Sequence, residues 1–189
     1  MVNRIWPGIG EPVKQARNDR HDTKGYAAGI DIPEDKELIL DRHLPALLTW
    51  INNKYSADAS QLFRKKFGIG IADWRVIAFL GVHGVGTSAE MSEFLGMDKA
   101  AVSRCAAFLL KRGLICTHER NGRSVSLRLS DSGSTLYRQV LKIAFRREAL
   151  LLDGLDADEV AQLLRLLNRV HGNLPLVYSY SDELIGEDA

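Results

Sequence analysis

Apolar positions change period along the chain, and the changes divide it into elements. Leu44, Leu47, Leu48, Ile51 and Tyr55 recur at helical spacing and predict a long helix opening at Leu44-Pro45, where proline suits the first turn. Arg64, Lys65 and Lys66 lie at its end, and Gly68 and Gly70 break it. A second helix is predicted over about 72–83, with Trp74, Ile77, Ala78 and Val82 on one face and His83-Gly84 as the stop. Thr87 to Glu90 reads as a capping box opening a short helix that carries Met91, Phe94 and Leu95 and closes at Gly96. Asp98 then caps another helix. Its apolar face is Val102, Cys105, Ala106, Leu109 and Leu110, with Lys99, Ser103, Arg104 and Ala107 elsewhere on its circumference.

After Gly113 the period falls to 2. Val125, Leu127 and Leu129 alternate with polar residues, and Asn121-Gly122 between Arg120 and Arg123 signals a hairpin over roughly 114–129. Ser130 caps a long helix to about Leu152 with Leu136, Val140, Ile143 and Ala144 as its stripe. Asp156 to Glu159 is a second acidic capping box. It opens a helix to about His171 with Val160, Leu163, Leu164, Leu166 and Leu167 apolar. Residues 1–33 and the last stretch from Asn173 read as irregular; the first is an extended arm, or a segment that packs on a partner subunit. The fold class expected is mainly α with a small β-hairpin: a winged helix-turn-helix lobe plus N- and C-terminal helices forming a dimerisation region. The boundaries are an arm at 1–36, a domain at 37–172 (lobe 71–129, dimerisation helices 44–67 and 131–171) and an acidic tail at 173–189.

Composition adds exclusions. With 189 residues, 46% hydrophobic and 26% charged, the chain has the balance of a globular protein. It contains no apolar run of about 18 residues, and its first fifteen lack a secretory pattern, so a cytoplasmic protein with no membrane partner is expected. Cys105 and Cys116 form neither a disulfide framework nor a metal cluster, and Cys105 reads as a core residue. No cofactor and no metal are expected. No nucleophile elbow, phosphate loop, zinc-protease motif or dinucleotide fingerprint occurs, and the five histidines are scattered, so an enzyme is not expected. His118 and Glu119, neighbours on a predicted strand, are expected to face opposite sides.

The order short helix, tight turn, helix, hairpin points to a nucleic-acid reader. The DNA major groove is ~12 Å wide and admits one helix. Lys99, Ala100, Ala101, Ser103 and Arg104 supply the short and cationic side chains that such a helix must lead with. Thr87 and Ser88 are placed to offer hydroxyl and N–H groups to a phosphate. Arg123 is a candidate for the minor groove, and Arg120 and Arg128 for flanking phosphates. Net charge is +1 overall but +3 between Gly86 and Leu129, where seven cations face four anions. A winged-helix module that binds proteins and not DNA is the alternative, favoured by the low total charge.

These residues resemble the MarR family of bacterial regulators. The likeness runs over about residues 37–172 and is carried by IADWRVIAFLGVHG, TSAEMSEFLGMDKAAVSRCAAFLLKRGLI and GRSVSLRLSDSG. Trp74-Arg75-Val76, Lys99 through Arg104, Gly113-Leu114 and Leu129 through Gly133 stand in family register. The resemblance implies a homodimer with intertwined terminal helices, whose two winged lobes read a pseudo-palindromic operator in double-stranded DNA, most often as a repressor. It also implies a pocket for a small aromatic or phenolic effector; His43, Trp50, Asp73, Trp74 and Arg75 are its candidate residues. An arginine there pairs with a carboxylate and a tryptophan stacks on a ring. Bland roles, core for the tryptophans and a structural ion pair for Arg75, compete with that reading. The chain departs from the family in a wing about two residues shorter, in Asn121-Gly122-Arg123 where Asp-x-Arg is usual, and in a longer N-terminal arm. It also lacks the cysteine that peroxide-sensing members carry near the start of the first long helix.

Overall fold

The structure is a computed structural model describing Leu40, residues 43–122 and residues 124–187. The chain divides into two units, 1–47 and 48–189. Of the first, only Leu40 and residues 43–47 are described, so the expected arm at 1–36 lies outside the described residues. The second unit holds all the other described residues.

Helices α1 (Leu44–Phe67) and α2 (Ile71–His83) are followed by strand β1 (Val85–Thr87), helices α3 (Ser88–Leu95) and α4 (Lys99–Lys111), and strands β2 (Ile115–Asn121) and β3 (Ser124–Leu129). Three further helices come after the sheet: α5 (Asp131–Leu151), α6 (Ala157–Gly172) and α7 (Leu174–Glu187). The mainly helical winged-helix fold class is therefore the observed one. The strands form one antiparallel sheet in the order β1-β3-β2.

The core lies where α2, α3, α4 and the sheet meet, with contributions from the C-terminal half of α1 and from α5. Phe63, Ile69, Ile77, Leu80, Met91, Val102, Leu109 and Val140 are fully buried. Side-chain caps fix the helix starts as the sequence predicts. Thr87 Oγ1 accepts from Glu90 N, Asp98 from Ala101 N, Ser130 from Gly133 N and Asp156 from Glu159 N.

The entry to α5 is the tightest joint. Ser130 and Ser132 hydroxyls both donate to Gly113 O, at 2.7 and 2.8 Å, and Ser130 N donates to Leu114 O. A Cβ at Gly133 would stand 1.8 Å from Leu114 O, so only glycine lets helix and loop meet. Gly81 has a comparable role: a Cβ there would meet the Tyr137 ring at 2.5 Å. Its presence in α2 thus reflects close packing of α5, where the sequence alone suggests only a weakened helix. Arg112 bonds across to Gly68 O at 2.8 Å and Phe67 O at 3.4 Å, closing the C-terminus of α1 with a cation. Arg147 on α5 pairs with Asp58, donates to Tyr55 O and lies over the Tyr55 ring.

Several expectations require correction. Strand β1 is absent from the predicted elements: three residues leave no periodicity, and their partner β3 is about forty positions away in the chain. The reversal in the wing is displaced by one, because Asn121 pairs with Ser124 and so continues the ladder. The cause lies in β2, where a bulge between Thr117 and Glu119 inserts an extra residue. The stretch from Asn173 is helix α7, not irregular tail; Pro175 stands in its first turn, where proline is compatible with a helix. Val82, Phe94 and Leu110, assigned to apolar faces, are exposed, whereas Ser92 is buried and donates to Met97 O at 2.6 Å. Phe94 instead packs at the surface with Phe79 and His83, with ring centroids 5.3 and 4.9 Å away. Leu44, Leu48 and Ile51 on α1 are also exposed, and α6 buries no residue within the chain.

Candidate nucleic-acid interface

The turn between α3 and α4 is rigid. Gly96 adopts φ +59°, a conformation that favours glycine, and its N–H and that of Met97 return to Glu93 O and Ser92 O. Asp98 then starts α4. The back of α4 is closed by Val102, Cys105, Ala106 and Leu109, all buried. Its front presents Lys99, Ala100, Ser103, Arg104 and Ala107, all exposed. Ala101 is half-buried beside that front, and its N–H is taken by Asp98 at 3.0 Å. Lys111, also exposed, falls on the same side one turn after Ala107. It is absent from the predicted contact residues, although its spacing of seven from Arg104 carries the signal.

At the start of α3 the predicted capping box is formed. Thr87 N–H and Thr87 Oγ1–H both donate to the Glu90 carboxylate, at 2.7 and 2.9 Å. Those bonds, the backbone one first, hold the Glu90 carboxyl below its usual range. The negative charge that a phosphate would bring to this helix end is thus already supplied by Glu90, and Thr87 is engaged in capping. Ser88 beside it is half-buried.

On the wing, Arg120 is exposed opposite Val125, near the tip, and Arg128 is exposed at the base, between Val85 and Cys116. The three residues from Val125 to Arg128 span about 10 Å, so the two arginines occupy different points along the wing. Arg123 lies outside the described residues. Between the wing and the start of α3 is an open depression of about 330 Å³ lined by Gly86, Thr87, Glu90, His118, Glu119 and Ser126. His118 and Glu119 both line it, contrary to the alternation expected, because the bulge interrupts the strand's period there. Ser126 fills the gap in the ladder: its hydroxyl accepts from Glu119 N at 3.1 Å and lies 3.4 Å from Glu119 O.

The five candidate effector residues have separate surroundings. His43 is exposed and belongs to the first unit. Trp50 is exposed on α1. Asp73 accepts from Gly70 N at 2.8 Å, capping α2, and Trp74 packs edge-on to Phe63 and stacked on Tyr137. Arg75 donates to Asn52 and Ser56, at 3.3 and 3.2 Å, so the ion pair proposed for it is a pair of bonds to neutral acceptors. Burial, then the Asp73 carboxylate, pushes the Cys105 thiol up to about 11, and burial raises the Tyr137 hydroxyl. Among the described residues no cluster of three or more His, Cys, Asp or Glu is arranged to hold a metal ion. No helix among them is long and apolar enough to cross a membrane.

A short helix, a glycine turn, a helix with a polar front and an arginine-bearing hairpin together define a winged helix-turn-helix protein. No protein-family model matches the sequence. Solved structures do. A MarR/EmrR family transcriptional regulator from Acinetobacter sp. ADP1 is 31% identical, with a TM-score of 0.68 over 74% of this chain and 99% of that one. The chain belongs to the MarR family of transcriptional regulators. Apo MarR from E. coli shares the fold at 24% identity and a TM-score of 0.57, over 71% of this chain and 98% of that one. A putative MarR family regulator from Listeria monocytogenes, complexed with 26mer DNA, shares it at 18% identity and 0.67, over 79% and 96%.

Proposed function

We propose that this protein is a sequence-specific, double-stranded-DNA-binding repressor acting as a homodimer. The observation that carries the reading is α4: a helix anchored by a buried back whose exposed front is small residues flanked by Lys99 and Arg104. Arginine there is suited to bidentate pairing with guanine, and Ala100 and Ala107 to thymine methyls. Arg120 and Arg128 are assigned to flanking phosphates and Arg123 to the minor groove. That the Listeria protein of the same fold was solved in complex with 26mer DNA supports DNA as the partner. The apolar side chains exposed on α1 and α6 support the homodimer, since the other described residues leave them uncovered. Two lobes would then read half-sites about 34–36 Å apart, in the cytoplasm, where the operator is.

Release by a small aromatic or phenolic acid is the regulatory part of the reading. Arg75 supports it, because its guanidinium bonds only neutral groups among the described residues and retains its charge for a carboxylate.

Selection from a random DNA pool tests the whole. The expected product is a pair of inverted half-sites at one-turn spacing; failure to enrich any sequence at low salt would remove the DNA reading. Arg104→Ala is expected to relax base preference at one position of each half-site by about 1–3 kcal/mol. An equal loss on every sequence would instead make Arg104 a phosphate contact, with a shallower salt dependence as its signature.

A further inference from the structure

We infer that the end of α1 and the end of α4 together form a second DNA-contacting surface, which holds the sugar-phosphate backbone beside the half-site read by α4. The inference rests on the DNA reading above and adds a surface outside the helix-turn-helix and the wing. Its side chains are Arg64, Lys65 and Lys66, in the last turn of α1, and Lys111 and Arg112, at the end of α4, all exposed. The turn at 67–70 gathers them. Arg112 donates to Gly68 O and Phe67 O, and a Cβ at Gly70 would meet Arg64 Nε at 3.6 Å. Lys66 Nζ lies 6.0 Å from the centre of the Phe67 ring. The Arg112 guanidinium lies 5.6 Å from the centre of the Phe108 ring, itself exposed. Two of the five N–H donors of Arg112 are thus engaged, both by neutral carbonyls, and the others are left for an anion.

Three observations point to a phosphate polymer as the occupant. The cations are not neutralised. Asp73, which accepts from Gly70 N, and Asp131, beside the serines that bond Gly113 O, are the acidic neighbours. Neither pairs with any of the five; among the described residues the one ion pair is Arg147 with Asp58. Helix dipoles do not account for the cluster either, since the two helix ends offer only about half a negative charge each. The second observation is where the charge lies. Without Lys111 and Arg112, the stretch from Gly86 to Leu129 keeps five cations against four anions. Most of the lobe's basic excess is therefore at this surface and not on the front of α4 or the wing, and a polyanion is drawn to it. The third is reach. Lys99 and Lys111 are twelve residues apart, about 18 Å along the helix, whereas the major groove is about 12 Å wide. A helix lying across the groove with its first turns on the bases carries its last turn to the phosphates at the rim. Lys111 stands on the front of α4 as well, so the surface continues the candidate interface.

Binding of the full chain to two duplexes of equal length, one a selected site and one scrambled, tests this across a salt series. Lys65→Gln with Lys66→Gln is expected to weaken binding to both duplexes about tenfold or more and to lower the slope of log affinity against log salt by about 2, with base preference unchanged. Lys111→Gln, on the α4 side, lowers the slope by about 1. Lys54→Gln with Lys142→Gln removes the same charge from exposed positions on α1 and α5 and is expected to change affinity less than about threefold. Thermal melting accompanies each variant; if the Lys65 and Lys66 double variant melts lower, Lys111→Gln alone decides. Affinity and slope unchanged in the surface variants mean a solvated face or a contact for some other partner, and overturn the inference. Equal weakening by the two double variants reduces it to net charge and overturns it too, as does a loss confined to the selected duplex. A full chain that binds neither duplex at low salt removes the DNA reading itself, and the inference with it.

Discussion

The winged lobe and the terminal helices solve the same problem differently. In the lobe each apolar stripe meets another of the same chain: Val76 and Ile77 of α2, Val102 and Leu109 of α4, and Leu127 of β3 are buried together. In α6 and α7 the stripes are equally regular, but the described residues do not bury them. Leu163, Leu164, Val177 and Leu184 remain exposed. Regular amphipathicity thus reports that a face is to be covered, and not by what. The lobe is a completed core carrying a polar front; the terminal helices keep an apolar stripe uncovered by the described residues.

Glycine substitution gives the largest test of that difference. Gly133→Ala forces a methyl group into Leu114 O, a backbone atom fixed by Ser130 and Ser132 on the neighbouring carbonyl. Relief requires moving the start of α5 away from the wing base. The expected cost is about 3 kcal/mol or more, at the upper end of overpacking, read as a lowered denaturation midpoint independent of protein concentration. A loss below about 1 kcal/mol would mean that the joint is softer than its hydrogen bonds indicate.

A smaller effect comes from alkali. The Cys105 thiol, raised from 9.0 to about 11, is more easily ionised in the unfolded chain than in the folded one. The folded state therefore holds the proton longer, and stability is intact below pH 9 and declines as pH rises from 9 towards 11. Tyr137, also raised by burial, acts in the same direction. Two pH units correspond to at most about 2–3 kcal/mol for Cys105, and residual solvation lowers that figure. Cys105→Ala is expected to flatten the decline between pH 9 and 11 in denaturant titrations, after its own cavity cost is subtracted. An unchanged slope would remove Cys105 as its cause.

The same contrast explains what is readable from the sequence. Helix α4 is legible because its cap, its stripe and its exposed front are all local: Asp98, Val102, Cys105 and Leu109 speak for themselves at fixed spacing. So are the capping boxes at Thr87 and Asp156. Strand β1 is not legible, because Val85 to Thr87 is a strand only by virtue of Leu127 and its neighbours. The bulge is hidden for the same reason, since it appears only when β2 is set against β3, and with it the shared orientation of His118 and Glu119. Helix α7 is obscured by Asn173 and Pro175, which mark a boundary without revealing the helix beyond it. Of the candidate site, the front of α4 is legible. The packing of Trp74 against Phe63 and Tyr137, and the bonds of Arg75 to Asn52 and Ser56, depend on partners that spacing alone does not define.

Gly172→Ala is the smallest effect and the counterpart of Gly133→Ala. Gly172 is the last residue of α6, and a Cβ there meets nothing within 4 Å in the single chain. Alanine restricts the unfolded chain more than glycine does and is a better helix former, so the substitution is expected to stabilise by up to about 1 kcal/mol. The gain should persist in the monomer at high dilution. If instead the substitution weakens self-association while the monomer is stabilised, the space beside Gly172 is filled by the second copy, and α6 approaches its partner at the junction with α7. The sign of one methyl group's effect, measured at two protein concentrations, then separates a helix end in water from one that is already part of a shared core.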